Sequence, residues 1–189
     1  MKNPQIIEEL YNKYVDRMYS YAIGFGCDKI TVMDIIHDVF YKLCIQEHKL
    51  DKIDNYESYL FRSLRNQIID LYRVRKDNIS FEEAIADIDY EFNINVSVED
   101  EYIDMDERRI LNRKIQMILN NLNSHQREII YLRYVHGYSY DEISQILGIN
   151  VSSCRKLLNR TLTKLKKNNT FFLLLALLDE IKMSLLISQ

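Results

Sequence analysis

Apolar residues recur every three or four positions along most of this 189-residue chain, which is the spacing of amphipathic helices. The N-terminal part predicts three of them: one over residues 4–25, one opened by Thr31 with Asp34 at its capping-box position, and one from Asn55 to about Lys76. One Pro and four Gly in the whole chain also favour helices over turn-rich β structure. We therefore predict an all-α fold.

The helical pattern breaks at residues 77–107 and resumes near Arg109. The broken segment is acidic and has only isolated apolar residues, so we predict a flexible linker, with at most a short helix around residues 81–86. A helix from Ser124 through Val135 follows, and Gly137 ends it. The pattern divides the chain into helical domains at 1–76 and 108–167, an acidic linker at 77–107 and an extension at 168–189.

Residues 139–167 predict a short helix, a tight turn and a longer helix. Ser139 and Glu142 have capping-box spacing, Gly148 can end the first helix in the left-handed conformation, and Asn150 can cap the second. The second helix has an apolar back that includes Cys154, Leu157, Leu158, Leu162 and Leu165, and a polar front of Ser152, Ser153, Arg155, Lys156, Asn159, Arg160 and Lys164. This arrangement suits a helix that lies in a DNA major groove.

Charge is distributed unevenly, although the formal net charge is only −3. Residues 80–107 contain eleven acids and no Lys or Arg, whereas residues 108–167 contain twelve Lys or Arg against three acids, a local charge of +9. Salt screens exposed charges beyond about 10 Å, so the local value decides whether a surface attracts phosphates. An acidic protein can therefore still bind DNA through its C-terminal domain.

The chain offers little support for catalysis. It contains no phosphate-binding glycine loop, no nucleophile elbow and no metal-ligand cluster, so we expect neither an enzyme nor a metal or other cofactor, nor a small-molecule substrate. Cys27, Cys44 and Cys154 are unpaired in spacing and are expected to be buried small hydrophobes. The N-terminus does not resemble a signal peptide, which favours a reducing, cytoplasmic setting.

An apolar run from Phe171 to Leu178 marks the C-terminal extension. Its eight residues fall short of the roughly 20 that span a bilayer, so we expect no direct membrane insertion. We predict an apolar C-terminal helix that packs on its own domain. A surface for a protein partner and attachment to a membrane surface are the alternatives.

A helix-turn-helix pattern also occurs in bundles that never bind DNA, so the surrounding residues matter. Residues 119–167 resemble region 4 of sigma-70-type RNA polymerase sigma factors. The matching pieces are Leu122, Gln126-Arg127-Glu128, Leu132-Arg133, Gly137-Tyr138-Ser139-Tyr140, Glu142-Ile143, Leu147-Gly148-Ile149 and Arg160. Ser153-Cys154 stands where the family commonly has Thr-Val, and Asn123 replaces a common Pro, so the promoter sequence cannot be carried over.

The N-terminal domain resembles sigma region 2. Residues 34–43, DIIHDVFYKL, and 59–76, YLFRSLRNQIIDLYRVRK, are similar to two of its helices. Regions 2 and 4 in this order, with only a linker between them, are typical of the extracytoplasmic-function (ECF) subgroup. The resemblance covers residues 5–76 and 109–167. It implies two small helical domains joined by the acidic linker.

The resemblance implies that Asp34, His37 and Asp38, which share one helix face, contact the coiled coil of the largest polymerase subunit. A solvated face, with Asp34 helping the helix cap, is the plainer alternative. An anti-sigma factor that blocks the polymerase-binding surfaces is a further partner that the family implies.

Promoter contacts are implied for two helices. Tyr59, Arg62, Asn66 and Arg73 are implied in binding the melted minus-ten element, with the loop at residues 51–55 shaping specificity. Cations can follow phosphates and aromatic faces can stack on unpaired bases, although we expect most aromatics here to be core residues. For the minus-thirty-five element we expect base contacts from Ser153, Arg155, Lys156 and Asn159 and phosphate contacts from Arg160 and Lys164.

The sequence thus predicts an ECF-type sigma factor that binds core RNA polymerase and promoter DNA and directs transcription initiation. Two rivals remain. The first is a helix-turn-helix regulator whose N-terminal domain senses a signal or dimerises, and co-purification with core polymerase would separate it from a sigma factor. The second is a helical interaction protein that binds no nucleic acid, which the local +9 charge disfavours.

Overall fold

The computed structural model describes residues 3–46, 50, 52–75, 90–94, 113 and 116–167. Its elements are helical: α1 (Asn3–Ile23), α2 (Lys29–Ile45), α3 (Tyr56–Arg75), α4 (Ser124–Ile130) continued by a π-helical turn (Tyr131–Val135), α5 (Tyr140–Leu147) and α6 (Val151–Lys167). The all-α prediction is confirmed. Among the described residues, no helix is both long and apolar enough to cross a membrane.

The chain divides into two compact units, Met1–Glu91 with Gln145–Gly148, and Phe92–Ser144 with Ile149–Gln189. In the first unit α1, α2 and α3 pack against one another in all three pairs. Each helix supplies one apolar face to a common core, as the spacing predicts. Its fully or almost fully buried residues include Met18 and Tyr21 of α1, Phe25 in the turn after α1, Val32, Ile36 and Leu43 of α2, and Leu60, Phe61, Leu64 and Ile68 of α3.

The start of α2 differs from the prediction. Asp28 is the N-cap, its Oδ1 accepting from the Thr31 backbone N–H at 3.0 Å, and the helix begins at Lys29. The hydrogen bonds from Thr31 lower the pKa of the Asp28 carboxyl. The Asp28 carboxylate accepts from the backbone N–H of Thr31, which would otherwise lack a partner in the first turn of the helix. The predicted helix start at Thr31, with Asp34 in a capping box, is therefore wrong. Asp34 is therefore not part of the cap of α2.

Caps predicted elsewhere are confirmed. Asn55 Oδ1 accepts from the Ser58 N–H at 2.9 Å at the start of α3. Ser139 and Glu142 form a reciprocal capping box before α5, with bonds of 3.2 and 2.8 Å between each side chain and the other's backbone N–H. Asn150 accepts from the Ser153 N–H at 2.7 Å and so caps α6.

The second unit contains the helix-turn-helix. The segment from Ser124 to Val135 is helical as predicted, but its last turn, Tyr131–Val135, is π-helical. Asn123 caps α4 through a capping box with Gln126, so it replaces the family's common Pro without loss of helix initiation. Gly137 and Gly148 adopt φ of 75° and 67° where the two helices end. Only glycine takes this conformation readily, which explains the two sharp turns around α5.

Residues 90–94 depart from the prediction of a flexible linker. Tyr90, Phe92 and Ile94 are at most 2% exposed, whereas Glu91 and Asn93 between them are exposed. The Tyr90 ring lies 5.5 Å from that of Phe25 in the first unit, and the Phe92 ring lies 5.5 Å from that of Tyr131 in the second. This short stretch is therefore an ordered part of both units.

The remaining predictions concern the three cysteines, two predicted helices and the domain limits. Cys27 and Cys154 are buried as expected, but Cys44 is exposed near the end of α2, so its predicted burial is wrong. The short helix near residues 81–86 and the apolar C-terminal helix at 168–189 lie outside the described residues. The domain limits at 76, 107 and 167 stay predictions.

Candidate functional site

The polar face of α6 is the first candidate interface. All six predicted minus-thirty-five residues are exposed there: Ser153, Arg155, Lys156, Asn159, Arg160 and Lys164. The opposite face buries Cys154, Leu158 and Leu165 at no more than 2% exposure. Burial of that back fixes the rotation of α6, so the polar front remains available to a ligand.

Arg155 lies beside an aromatic ring at the start of α5. Its Cζ is 5.3 Å from the centroid of the Tyr140 ring, and the Cζ of Arg133 is 5.2 Å from the same centroid. Arg133 is held separately, because its Nη1 donates to the Tyr138 carbonyl at 2.6 Å. The two distances from arginine Cζ atoms to the Tyr140 ring are within the range of cation–π attraction. Tyr140 matches the sigma family in sequence, but the sequence predicts no role for it.

Cys154 lies on the buried side of the same helix. Burial raises the pKa of its thiol, and the positive charges of Arg133 and Arg155 only partly oppose that effect. A thiol with a raised pKa stays neutral and is a poor nucleophile. Cys154 therefore contributes packing, as the sequence predicted.

One predicted phosphate contact is already engaged. The Lys164 Nζ donates to the backbone carbonyl of Asn121, so this cation is tied to its own unit. Arg160, also exposed, lies one helical turn earlier on a neighbouring part of the same face. Arg160 is therefore the clearer candidate for a phosphate contact.

The second candidate interface runs along α3. Tyr59, Arg62, Asn66 and Arg73 have spacings of three, four and seven, which place them on one face of the helix. Arg62, Asn66 and Arg73 are exposed and Tyr59 is half-buried. Arg73 forms an ion pair with Asp70 at 2.7 Å, an exposed contact that contributes little to stability and can be exchanged for a phosphate.

Most aromatics of α3 are structural, as expected. Phe61 is fully buried, the Tyr56 hydroxyl donates to the Leu50 carbonyl at 3.1 Å, and the Tyr72 hydroxyl donates to the Phe25 carbonyl. Tyr59 remains the aromatic that the face itself presents. A stacking contact with DNA on this helix would therefore fall to Tyr59.

A residue of the linker reaches the same helix. Arg65 Nη2 donates to the Tyr90 hydroxyl at 3.2 Å, and the Arg65 Cζ lies 5.4 Å from the centre of the Tyr90 ring. The sequence did not predict this contact between Arg65 and Tyr90. The signal that could have found it is the alternation of apolar and polar residues at 90–94, which is typical of an extended, half-buried segment.

The third candidate interface is the exposed face of α2. Asp34, His37 and Asp38 are all exposed on it, and Ile35, Ile36 and Val39 are buried behind them, as predicted. His37 also contacts α1: its Nε2 is 3.3 Å from the Tyr11 hydroxyl, and the two rings stack with centroids 6.2 Å apart. The two carboxylates are therefore the more accessible charges.

Three large apolar side chains share this face. Ile30, Tyr41 and Ile45 are 76%, 64% and 63% exposed. With Asp34 and Asp38 they form one stripe, residues 30, 34, 38, 41 and 45, because steps of three or four return to the same side of a helix. Ile30, Tyr41 and Ile45 were not predicted to share this face, although they are hydrophobic residues outside the predicted core face of α2. Exposed apolar residues beside charges are typical of protein interfaces.

Comparisons with known proteins agree with this architecture. Residues 10–78 match the family Sigma-70 region 2, and residues 112–165 match the family Sigma-70, region 4. The RNA polymerase sigma factor SigZ of Bacillus subtilis (strain 168) is 27% identical over 161 residues, covering 85% of each chain. The ECF RNA polymerase sigma factor SigM of the same organism is 24% identical over 160 residues, covering 85% of this chain and 93% of SigM.

The fold is shared with a solved complex. A chain from the co-crystal structure of the sigma factor RpoE with the anti-sigma factor NepR from Bartonella quintana superposes with a TM-score of 0.58. It is 21% identical, and the match covers 86% of this chain and 96% of that one. Both sigma regions occur here in family order, and the two units expose most of the residues that the sequence predicts as contacts. The chain therefore belongs to the sigma-70 family, as a sigma factor of the ECF type.

Proposed function

We propose that the protein binds core RNA polymerase through the exposed stripe of α2 and directs it to promoters through the polar faces of α3 and α6. The observation that carries this proposal is the polar face of α6, where every predicted DNA-contacting residue is exposed against a buried apolar back. The protein itself is a transcription initiation factor and not an enzyme. It acts in the cytoplasm, beside the polymerase.

The proposal is tested by transcription with purified core polymerase. We expect the full chain to produce a defined transcript from a promoter selected for binding, and core polymerase alone to produce none. A chain that binds the same DNA but neither joins core polymerase nor starts transcription would contradict the proposal and favour a helix-turn-helix regulator.

On α2, the acidic centre and apolar flanks suit a basic, amphipathic helix pair of the polymerase. Asp34 and Asp38 would steer association by charge, whereas Ile30, Tyr41 and Ile45 would bury apolar area. Because all five are exposed already, the contact needs no rearrangement of the three-helix core. His37 would mainly hold α1 against α2, through Tyr11.

On α3, we propose that Arg62 and Arg73 contact phosphates of the melted minus-ten strand, that Tyr59 stacks on a base, and that Asn66 bonds to a base edge. Base stacking on an aromatic ring contributes about 1–3 kcal/mol. Asn55, the last residue of the loop at 51–55, caps α3 through the Ser58 N–H, and the Ile53 N–H donates to the Leu50 carbonyl at 3.1 Å, so these two loop residues have hydrogen-bond partners within the same unit.

On α6, Ser153, Arg155, Lys156 and Asn159 would contact base edges. We expect Arg155→Ala to relax specificity at one position of the minus-thirty-five element by about 1–3 kcal/mol, because an Arg that pairs with guanine loses both hydrogen bonds. Arg160→Ala is the matched control and should weaken all sequences alike, as loss of a phosphate contact does. Binding to a selected duplex and to its single-base variants measures both effects. A uniform loss for Arg155→Ala would show that it contacts only phosphate.

An anti-sigma factor completes the proposed set of partners. The matched RpoE structure is a complex with the anti-sigma factor NepR. An apolar and acidic stripe such as that on α2 is a surface that an inhibitor can cover, which would compete with core polymerase.

A further inference from the structure

Tyr140 and Arg155 come together from the two helices of the helix-turn-helix. Tyr140 is the first residue of α5 and is half-buried, and the capping box of Ser139 and Glu142 fixes the backbone on which it stands. Arg155 lies in the second turn of α6, with its Cζ 5.3 Å from the Tyr140 ring centroid. The ring is therefore a fixed surface against which an exposed arginine rests.

The chemistry of the guanidinium makes this contact useful for base reading. Arginine stacks on an aromatic ring through its flat face, whereas its N–H donors lie in the plane of the group and point outward. A flat-face contact of this kind with Tyr140 would restrict the side chain without occupying the donors that a guanine needs. An unsupported arginine would lose more rotamer freedom on binding, since its long side chain has many accessible conformations.

Arg133 contacts the same ring as Arg155 but is less available to a ligand. It shares the Tyr140 ring at 5.2 Å, but its Nη1 is bonded to the Tyr138 carbonyl at 2.6 Å. Arg133 and Arg155 carry like charges, which disfavours a closer approach of Arg155 to Arg133. Arg155 is exposed and is the member of the pair that can reach a ligand.

We propose that Tyr140 is a positioning residue that pre-orients Arg155 for base recognition and so sets specificity in the minus-thirty-five element. The inference rests on the proposed base contact of Arg155 and deepens it. The aromatic ring, and not the hydroxyl, performs this role, because cation–π attraction needs only the ring. The ligand is a guanine edge in the major groove.

The test compares full-length variants, bound to core polymerase, on a selected minus-thirty-five duplex and its single-base variants. Tyr140→Phe keeps the ring and should preserve discrimination. Tyr140→Leu removes it and should lower discrimination about two- to fivefold, the fold-change that corresponds to an exposed cation–π contact. The loss should occur only at the base pair that Arg155→Ala relaxes. The double variant Tyr140→Leu/Arg155→Ala should discriminate no worse than Arg155→Ala alone.

Several results would overturn the inference: equal losses for Tyr140→Phe and Tyr140→Leu, a uniform loss on all sequences, or an additive loss in the double variant. If Tyr140→Leu unfolds the unit, Tyr140→Trp is tested in its place. Because tryptophan keeps an aromatic ring, this variant must retain discrimination at the base pair that Arg155→Ala relaxes, and a loss there would overturn the inference. If Arg155→Ala itself leaves specificity unchanged, the proposed base contact fails. If only Tyr140→Leu is without effect, the positioning role alone fails.

Discussion

Replacing Phe92 with alanine is expected to lower the free energy of unfolding of the second unit by about 3–5 kcal/mol. Phe92 is fully buried, and its ring meets that of Tyr131 at 5.5 Å and 64°, an edge-to-face contact. Removing the ring leaves a cavity that the backbone can fill only in part. The loss is that of a core residue, although Phe92 lies within the acidic segment that separates the two sigma regions.

The backbone at Phe92 explains why the segment cannot simply move away. Arg127 Nε donates to the Phe92 carbonyl, and its Nη1 donates to the carbonyls of Leu119 and Leu122 at 3.3 and 3.0 Å. One guanidinium thus joins the segment at 90–94 to residues 119–122, which precede α4. Because these donors stay in place in Phe92→Ala, the cavity should persist instead of closing by displacement of the 90–94 segment.

Urea unfolding followed by amide hydrogen exchange measures this effect in each unit separately, which matters because a two-unit chain need not unfold in one step. Asn93→Ala is the matched control, since Asn93 is exposed beside Phe92 and its change should stay within about 0.5 kcal/mol. Protection of α4 and α6 should fall in Phe92→Ala only. Indistinguishable exchange in the two variants would mean that residue 92 belongs to a free linker.

The contrast between Phe92 and the helices shows which parts of the fold the sequence could predict. Helix faces and the caps at Asn55, Ser139 and Asn150 depend on residues three or four positions apart, so a short window contains the whole interaction. The segment at 90–94 has a pattern of only five residues. Its burial depends on Phe25, Tyr131 and Arg127, which lie far away in sequence.

The remaining differences have similar causes. At the start of α2, Asp28 and Thr31 were both able to cap, and the choice depended on the backbone conformation before the helix. The π-helical turn at Tyr131–Val135 carries no local sequence signal; it is accompanied by ring contacts from Tyr131 to His136 and from His136 to Tyr138, at 5.1 and 5.3 Å. The polar face of α6 could be predicted from its sequence. The contact between Arg155 and Tyr140 could not, because it depends on the angle between α5 and α6.

The double charge reversal Asp34→Lys/Asp38→Lys is expected to weaken binding to core polymerase at least about tenfold, which is a loss of about 1.4 kcal/mol. If the partner surface is basic, each change replaces attraction by repulsion, and like charges across an interface cost several kcal/mol. The fold should be unaffected, because both side chains are exposed and neither caps α2. Thermal unfolding of the variant should therefore match that of the parent chain.

The control has the same change in net charge on another helix. Glu8 and Glu9 are exposed on α1, so Glu8→Lys/Glu9→Lys alters the total charge equally but leaves the α2 stripe intact. Association rates and affinities for core polymerase, measured at two salt concentrations, separate a specific contact from general attraction. A specific contact predicts a loss only in the α2 variant. Equal losses of affinity in both variants would show that only the overall charge matters. Unchanged binding in the α2 variant would show that Asp34 and Asp38 do not contact the polymerase.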